Sequence, residues 1–331
     1  MKKAFFINGG AGRVLCAIPA LEYHIQNIDP TAPIIAEGWM ELFLTSKIIR
    51  NNVYGVQHNG LFDVVKDREL VTPEPYRLNA YFNQKANLIQ AFDILINQDV
   101  PSLEIPETKK FNFELGKLDT VVAKNLVNEC KSHLQREKVI VFQPFGSGAK
   151  IEGSYIVDTS GRSFEVEDIK KIIKKLNENY GVILMSDIKI VSDEPLGVMT
   201  PEGLNLLQWS AVIAEADYFL GCDSVGQHMA NSIGKPSTVV IGSTYPENIS
   251  YPDNKKFNIV DNGKENRIYS PIRICFDMLS DRNNENLMKL SSDTIDKIVK
   301  SIESTLGKNN FKEYKKPATP IQMQSTCCTP K

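Results

Sequence analysis

Two hydrophobic periods alternate along most of this chain. Ala4-Phe5-Phe6-Ile7 is an apolar run that stops at Asn8-Gly9-Gly10-Ala11-Gly12, after which Val14, Leu15, Ile18 and Leu21 recur at helical spacing. That pattern predicts a strand, a tight turn and a helix. Residues 33–36 predict a second short strand, 40–49 a helix, and the later part of 77–97 another, with Leu88, Ala91, Phe92 and Leu95 on one side. The stretch 101–116, rich in Pro, Lys and Glu, reads as a connection, and 121–134 as a helix with Val122, Leu126, Val127 and Cys130 turned inward. A fresh start follows at Lys138-Val139-Ile140-Val141-Phe142, an unbroken apolar run of the kind buried on both faces of a parallel sheet.

Beyond it, Ile169, Ile172, Ile173 and Leu176 mark a helix, 181–185 a buried strand, 206–216 a helix, 218–220 a strand, 224–232 a helix and 236–241 a strand. Ile295, Ile298, Val299, Ile302 and Leu306 form the apolar stripe of a last helix. This alternation predicts an α/β chain with parallel, doubly wound sheets. The chain divides into a unit over 1–135 and a second over 136–310, and the patternless tail 311–331 is expected to be mobile.

Composition narrows the classes. At 331 residues the chain exceeds what one hydrophobic core usually serves, so two domains are expected. Hydrophobic residues at 42% and charged residues at 24% match ordinary globular usage. A net charge of −2 and a pI near 6.2 give none of the overall basic field with which nucleic-acid binders recruit phosphates. The run from Ala4 to Ile7 is too short for the core of a signal peptide, and no other run approaches the roughly 18 apolar residues of a membrane span. A cytoplasmic protein, not integral to a membrane, is expected. Cys16, Cys130, Cys222, Cys275, Cys327 and Cys328 include no Cys-x-x-Cys pair and no His at zinc-like spacing, which argues against a metal site and structural disulfides.

In open parallel sheets, ligands bind beyond the carboxyl ends of strands, so the turns there carry the candidate chemistry. Gln143-Pro144-Phe145-Gly146-Ser147-Gly148 has the small residues that let backbone N–H groups approach an anion, here at Gly146, Ser147 and Gly148. Gly221-Cys222-Asp223-Ser224-Val225-Gly226-Gln227-His228 runs from a strand into a helix, with Ser224 as a natural N-cap and the first-turn amides of Val225 and Gly226 suited to phosphate. Asp223 repels such a phosphate unless it faces another group, such as sugar hydroxyls; capping alone is the plainer role for the Asp223-Ser224 pair. Gly9-Gly10-Ala11-Gly12-Arg13 lacks the G-x-G-x-x-G spacing and the acidic partner of a dinucleotide site, which weighs against a nicotinamide enzyme.

The segment Gly-Cys-Asp-Ser-Val-Gly-Gln-His-Met-Ala-Asn-Ser-Ile-Gly-Lys-Pro-Ser, continuing into Val239-Val240-Ile241-Gly242-Ser243-Thr244, resembles the Asp-Ser-Gly-Pro-Met-His-Leu-Ala-Ala-Ala-Leu-Gly-x-Pro segment of the bacterial heptosyltransferase-like glycosyltransferases. Asp223, Ser224, His228, Ala230, Gly234 and Pro236 fall in register. Pro144-x-Gly146-Ser147 is similar to the family's phosphate loop, and Gly12-x-Val14-Leu15 with Pro19-Ala20-Leu21 to its acceptor-side opening, where Gly10 and Gly12 lie. The likeness is specific over residues 206–246.

It implies a GT-B architecture: two Rossmann-like domains facing across a cleft, with a nucleotide diphosphate sugar on the C-terminal one and the last helix a candidate to cross back to the first. The donor residues it implies are Gly146, Ser147, Gly148, Asp223, Ser224, Val225, Gly226 and His228, with Arg162, or its rival Lys150, neutralising the diphosphate. Two departures stand out. Arg13 occupies the place of the family's general-base Asp, and Arg cannot take a proton at neutral pH; Glu37 and Glu152 are the substitute bases to test. Residues 149–160 form an insertion after the phosphate loop.

The function expected is metal-independent transfer of a sugar to an acceptor hydroxyl, with no cofactor and no Asp-x-Asp motif to hold a metal. A glycan is the expected acceptor, ahead of a modified DNA base. A sugar-nucleotide epimerase or phosphorylase, or a non-catalytic sugar-nucleotide or glycan-binding protein, is the alternative.

Overall fold

The computed structural model describes residues 2–98, 104–111, 113–268 and 285–308; the tail at 311–331 and Cys275, Cys327 and Cys328 lie outside them. In chain order, the first part contains β1 (Lys3–Ile7), α1 (Ala11–Asn27), β2 (Ile34–Ala36), α2 (Met40–Leu44), β3 (Val53–Gly55), α3 (Leu61–Val65), β4 (Glu69–Val71), α4 (Asn79–Phe82) and α5 (Leu88–Asn97). There follow α6 (Lys117–Leu134), β5 (Val139–Gln143), β6 (Ala149–Glu152), β7 (Tyr155–Asp158), α7 (Val166–Leu176), β8 (Gly181–Leu184), α8 (Leu206–Glu215), β9 (Tyr218–Cys222), α9 (Val225–Ile233), β10 (Ser237–Ile241), α10 (Pro246–Ile249), β11 (Phe257–Asp261) and α11 (Ser292–Leu306).

Two parallel sheets form, in the orders β3-β2-β1-β4 and β11-β10-β9-β5-β8. Numbered by appearance, the first runs 3-2-1-4 and the second 2-1-3-4-5. These are the two doubly wound orders that bind ligands where the winding reverses, here between β1 and β4 and between β5 and β9. Two Rossmann-like units thus face each other across a cleft.

The winding follows from the sequence. All five residues of β5 are buried, with Val139 and Val141 in one apolar cluster and Ile140 and Phe142 in the other, as period 2 demands of a strand covered on both faces. On α7, Ile169, Ile172, Ile173 and Leu176 face inward, and the intervening lysines take the solvent side. Asn87 with Gln90, and Asn205 with Gln208, close reciprocal capping boxes that start α5 and α8.

Several expectations need correcting. The helix read over 40–49 ends at Leu44, because Thr45 and Ser46 turn their amides back to Leu42 and Phe43 instead of continuing the ladder. The insertion at 149–160 is an antiparallel hairpin, β6 and β7, joined by the two-residue turn Gly153-Ser154. The last helix, α11, packs on α7, β10 and β11 of the second sheet and does not cross back. Helix α6 packs on α8, β5 and β8, so it is a layer of the second sheet although the sequence reading grouped it with the first. Among the described residues no helix is long and apolar enough to cross a membrane.

Candidate active site

In the second sheet, the loops after β5, β9 and β10 meet at the point of reversal and are tied to one another by side chains. The amide of Gly146 donates to Ser163 Oγ at 2.9 Å, and Ser163 in turn donates to Asp158 at 2.5 Å. Asp158 also accepts from the amide and hydroxyl of Ser160 at 2.8 and 2.5 Å. Burial pushes its carboxyl pKa up, but these hydroxyls, the Ser160 amide and the Arg162 charge outweigh that and hold it below the usual carboxylate value. Ser243 closes the ring, donating from its amide to Gly161 O at 3.2 Å and from its hydroxyl to Ser160 O at 2.6 Å.

Arg162 lies over this platform, with Nε donating to Ser160 Oγ at 3.1 Å and Nη2 to Ser147 Oγ at 3.3 Å. Burial opposes its charge, yet Asp223 and, after it, Cys222, Asp158 and Tyr76 raise its pKa above even the usual guanidinium value. The cation is permanent. Asp223 is buried and accepts from Gln227 Nε2 and Thr244 Oγ1, both at 2.9 Å. Its carboxylate locks the loop after β9 to the loop after β10.

Ser224 stands at the N-cap of α9 but makes no capping bond. Gln143, at the end of β5, does that work: its Oε1 accepts the Gly226 amide at 2.9 Å, and its Nε2 donates to Ser224 Oγ at 3.1 Å. A Cβ on residue 226 would come within 2.3 Å of Gln143 Oε1, so glycine there is what lets the amide be reached. One of the first-turn donors of α9 is therefore already occupied by a side chain.

In the first sheet the point of reversal is held by an ion pair. Arg13, in the first turn of α1, donates from Nη1 to both carboxylate oxygens of Glu74 at 3.2 and 3.3 Å and from Nη2 to Pro73 O at 2.8 Å. Pro73 and Glu74 follow β4, so the contact spans the crevice between β1 and β4. The guanidinium also lies 5.4 and 5.6 Å from the ring centroids of Tyr76 and Phe92, where a cation is attracted to the aromatic face. Its side chain is 9% exposed, while that of Glu74 is 27% exposed. Glu37, just past β2, accepts the Gly9 amide through a long 3.4 Å contact, and Trp39 Nε1 donates to Gly9 O at 3.1 Å.

The two crevices meet at a seam. A Cβ at residue 12 would fall 2.8 Å from His228 Cδ2 and 3.7 Å from the Val225 Cα, so glycine at 12 is what allows α1 to close on α9. His228 Nδ1 lies 2.7 Å from Tyr251 Oη and 3.5 Å from Cys16 Sγ. Burial lowers the His228 pKa to about 4 and raises that of Tyr251, so a neutral imidazole meets a protonated phenol at the seam. Asn248, on α10, adds a second buried tie, donating to Tyr81 O at 2.7 Å and Ala86 O at 3.1 Å in the first unit.

The residues singled out in the sequence therefore separate. Gly146, Ser147, Gly148, Arg162, Asp223, Ser224, Val225 and Gly226 gather at one point of reversal, and Gly10, Gly12, Arg13 and Glu37 at the other. His228 is spent on the seam. Glu152 is exposed at the far end of β6, and Lys150 is exposed on the same strand. Glu74, Gln143 and Tyr76 were not singled out as site residues. Only Glu74 carried a local signal, a carboxylate set between Pro73 and Pro75 just after an apolar pair, where both neighbours restrict the backbone. Among the described residues no group of three or more His, Cys, Asp or Glu side chains is placed to hold a metal ion. A hollow of about 800 Å³, lined in part by Lys2, His24, Asp29 and Asn97, opens at the amino end of β1, away from these loops.

Solved glycosyltransferase structures share this fold. The glycosyl transferase family 9 protein from Veillonella parvula superposes with a TM-score of 0.60 at 13% identity, over 91% of this chain and 96% of that one. E. coli ADP-heptose lipopolysaccharide heptosyltransferase II gives 0.54 at 13% identity, over 78% of this chain and 90% of that one. TibC, an iron-containing dodecameric glycosyltransferase from enterotoxigenic E. coli, gives 0.57 at 11% identity in its complex with ADP-D-β-D-heptose, over 92% and 76%. At such identities the likeness is one of fold. No protein-family model matches the sequence, and no curated protein matches it.

Proposed function

We propose that this protein transfers a glycosyl group from a nucleoside diphosphate sugar to an acceptor hydroxyl, with the donor in the second crevice and the acceptor over the first. One observation carries the reading: two points of strand reversal, the places where such sheets bind ligands, abut at Gly12 and α9, and they bring Glu74, Arg13, Tyr76 and Arg162 into a single charged neighbourhood. The likeness in fold to glycosyltransferases, one of them holding ADP-D-β-D-heptose, supports a nucleotide sugar as donor.

In this reading the acceptor oxygen attacks the anomeric carbon, the bond from that carbon to the diphosphate oxygen breaks, and the nucleoside diphosphate leaves. Arg162, a permanent cation beside Ser147, is suited to the charge that develops on the leaving oxygens. Glu74 takes the acceptor proton. Arg13 then acts as a positioning residue, its guanidinium gripping both oxygens of the base. The carboxylate that position 13 lacks is thus supplied from position 74. Glu37 serves the Gly9 turn, and Asp223 the architecture of the donor loops.

Thermal-shift measurement of the whole chain against ADP, UDP, GDP, dTDP and their sugar derivatives tests the donor half. A stabilising nucleoside diphosphate, released as product once acceptor glycans are added, is the expected result. No stabilisation by any of them would overturn the proposal, and tight donor binding without consumption would leave a binding protein.

A further inference from the structure

Trp39 sits where no folding requirement places it. At φ 57° and ψ 36° it occupies the left-handed region at the start of α2, where helices normally begin from extended backbone. The other bulky residues with positive φ, Gln84 and Gln135, lie at or just beyond helix ends, where that conformation is the ordinary exit. A strained backbone that presents a large indole to solvent is a feature of sites, because strain of this kind persists only where the surroundings enforce it. Here they do. Trp39 Nε1 is fixed to Gly9 O, and Glu37, two residues earlier, reaches the Gly9 amide, so that indole, carboxylate and glycine turn form one piece.

Trp39 is 41% exposed. It follows β2 at the carboxyl edge of the first sheet, on the same edge as Arg13 and Glu74. Beneath the turn, Asn8 Oδ1 and Arg13 Nε are shielded from water and have no hydrogen-bond partner among the described residues. Arg13 Nε lies 3.5 Å from where a Gly9 Cβ would stand. The turn therefore keeps an acceptor and a donor without partners under the backbone to which the Trp39 indole is fixed. An electron-rich indole face attracts the positively polarised C–H groups of a sugar ring, while the exposed Glu37 carboxylate beside it suits the ring's hydroxyls.

We propose that Trp39 is the stacking platform of an acceptor subsite and that the acceptor presents a pyranose ring to it. The proposal rests on the transferase reading for the word acceptor, but not for the stacking itself.

The chain contains two tryptophans, and Trp209 is buried on α8, 5% exposed, so Trp39 is the one that ligands in solution can reach. Intrinsic emission of the full chain is titrated with methyl gluco-, galacto- and mannopyranosides and short oligosaccharides, with and without ADP or UDP. A saturable change with at least one glycoside is expected. By calorimetry, Trp39→Ala is expected to weaken that glycoside at least tenfold and Trp39→Tyr to stay within about threefold, because a smaller aromatic keeps a stacking face. The stabilisation by nucleoside diphosphate should be the same in all three proteins.

The proposal is overturned if no glycoside moves the emission, if Trp39→Ala binds like the wild type, or if oligonucleotides act where glycosides do not. It is equally overturned if a nucleoside diphosphate alone produces the full change, which would give Trp39 to the donor base. Glycoside binding that depends on Trp39 in a chain that no nucleotide stabilises would keep the platform and sink the transferase reading instead.

Discussion

The two points of strand reversal are built from opposite materials. In the second sheet, the loops are knitted by serine and threonine hydroxyls, backbone amides and Gln143, and Arg162 sits above a platform whose carboxylates Asp158 and Asp223 are both engaged. In the first, the crevice is closed by long side chains: Arg13 and Glu74 across the gap, Trp39 and Glu37 over the glycine turn. A frame of short hydroxyls and amides suits a ligand of fixed shape and charge. Long charged and aromatic side chains suit proton transfer and a ligand held by its face.

The division of labour is open to test, and the largest effect is expected at Glu74. Glu74→Gln should lower the transfer rate about 10²–10⁴-fold, the usual contribution of a general base, while nucleoside diphosphate stabilises the variant as it does the wild type. A rate unchanged by that substitution would remove chemistry from the first crevice. Arg13→Ala should lower the rate too, by freeing the carboxylate, and Arg13→Asp should not restore it.

At the seam, His228 supplies a pH dependence. Its folded pKa of about 4 lies below the ordinary 6.5, so the unfolded chain binds the extra proton between those values and stability falls as pH drops from 6.5 to 4. That difference corresponds to about 3 kcal/mol by pH 4, at about 1.4 kcal/mol per pKa unit. His24, also lowered, first by burial, adds in the same direction, so His228→Gln should flatten the denaturant-midpoint profile over this range without abolishing its slope. An unchanged profile would mean that the seam opens to water.

In the second crevice, Arg162→Gln should weaken nucleoside diphosphate binding about tenfold to a hundredfold, as expected for losing a charge-assisted bond worth roughly 1.5–3 kcal/mol. The defect should shrink for a nucleoside lacking phosphates; an equal loss for both would place Arg162 on the base or sugar. The smallest effect is expected at Ser224. A serine cap usually contributes about 1 kcal/mol, but here Gln143 holds the Gly226 amide, so Ser224→Ala should cost no more than about 0.5 kcal/mol by chemical denaturation.

The elements readable in the sequence were those whose burial is complete. Val139 to Phe142 and Gly181 to Leu184 are apolar at every position but the glycine because helices cover both faces, and α7 shows its core stripe without ambiguity. Strands β3 and β4 escaped because each is three residues long and only partly covered, which leaves no period to detect. The glycine turns of the second crevice were visible because their composition is local. Gln143 was inside a quoted loop, yet its bond to an amide 83 residues away follows from the adjacency of β5 and β9, which spacing does not encode. Glu74 stayed hidden for the same reason: its partner is 61 residues upstream, and the order 3-2-1-4 is what brings the two together.

The apolar cluster that begins at Phe5 and Ile7 of the first sheet continues without a break through α1 to Met229 on α9 and Ile241 in the second. The second half keeps one apolar cluster to itself, around Ile140 and Phe142, but the first half has none of its own outside the shared cluster, so the molecule has two sheets but one melting event. Scanning calorimetry of the full chain should show a single endotherm whose van't Hoff and calorimetric enthalpies agree, the mark of an all-or-none transition. Severing the chain before α6 would leave the amino-terminal piece with a wet apolar flank, and its expected fate is self-association in place of independent folding.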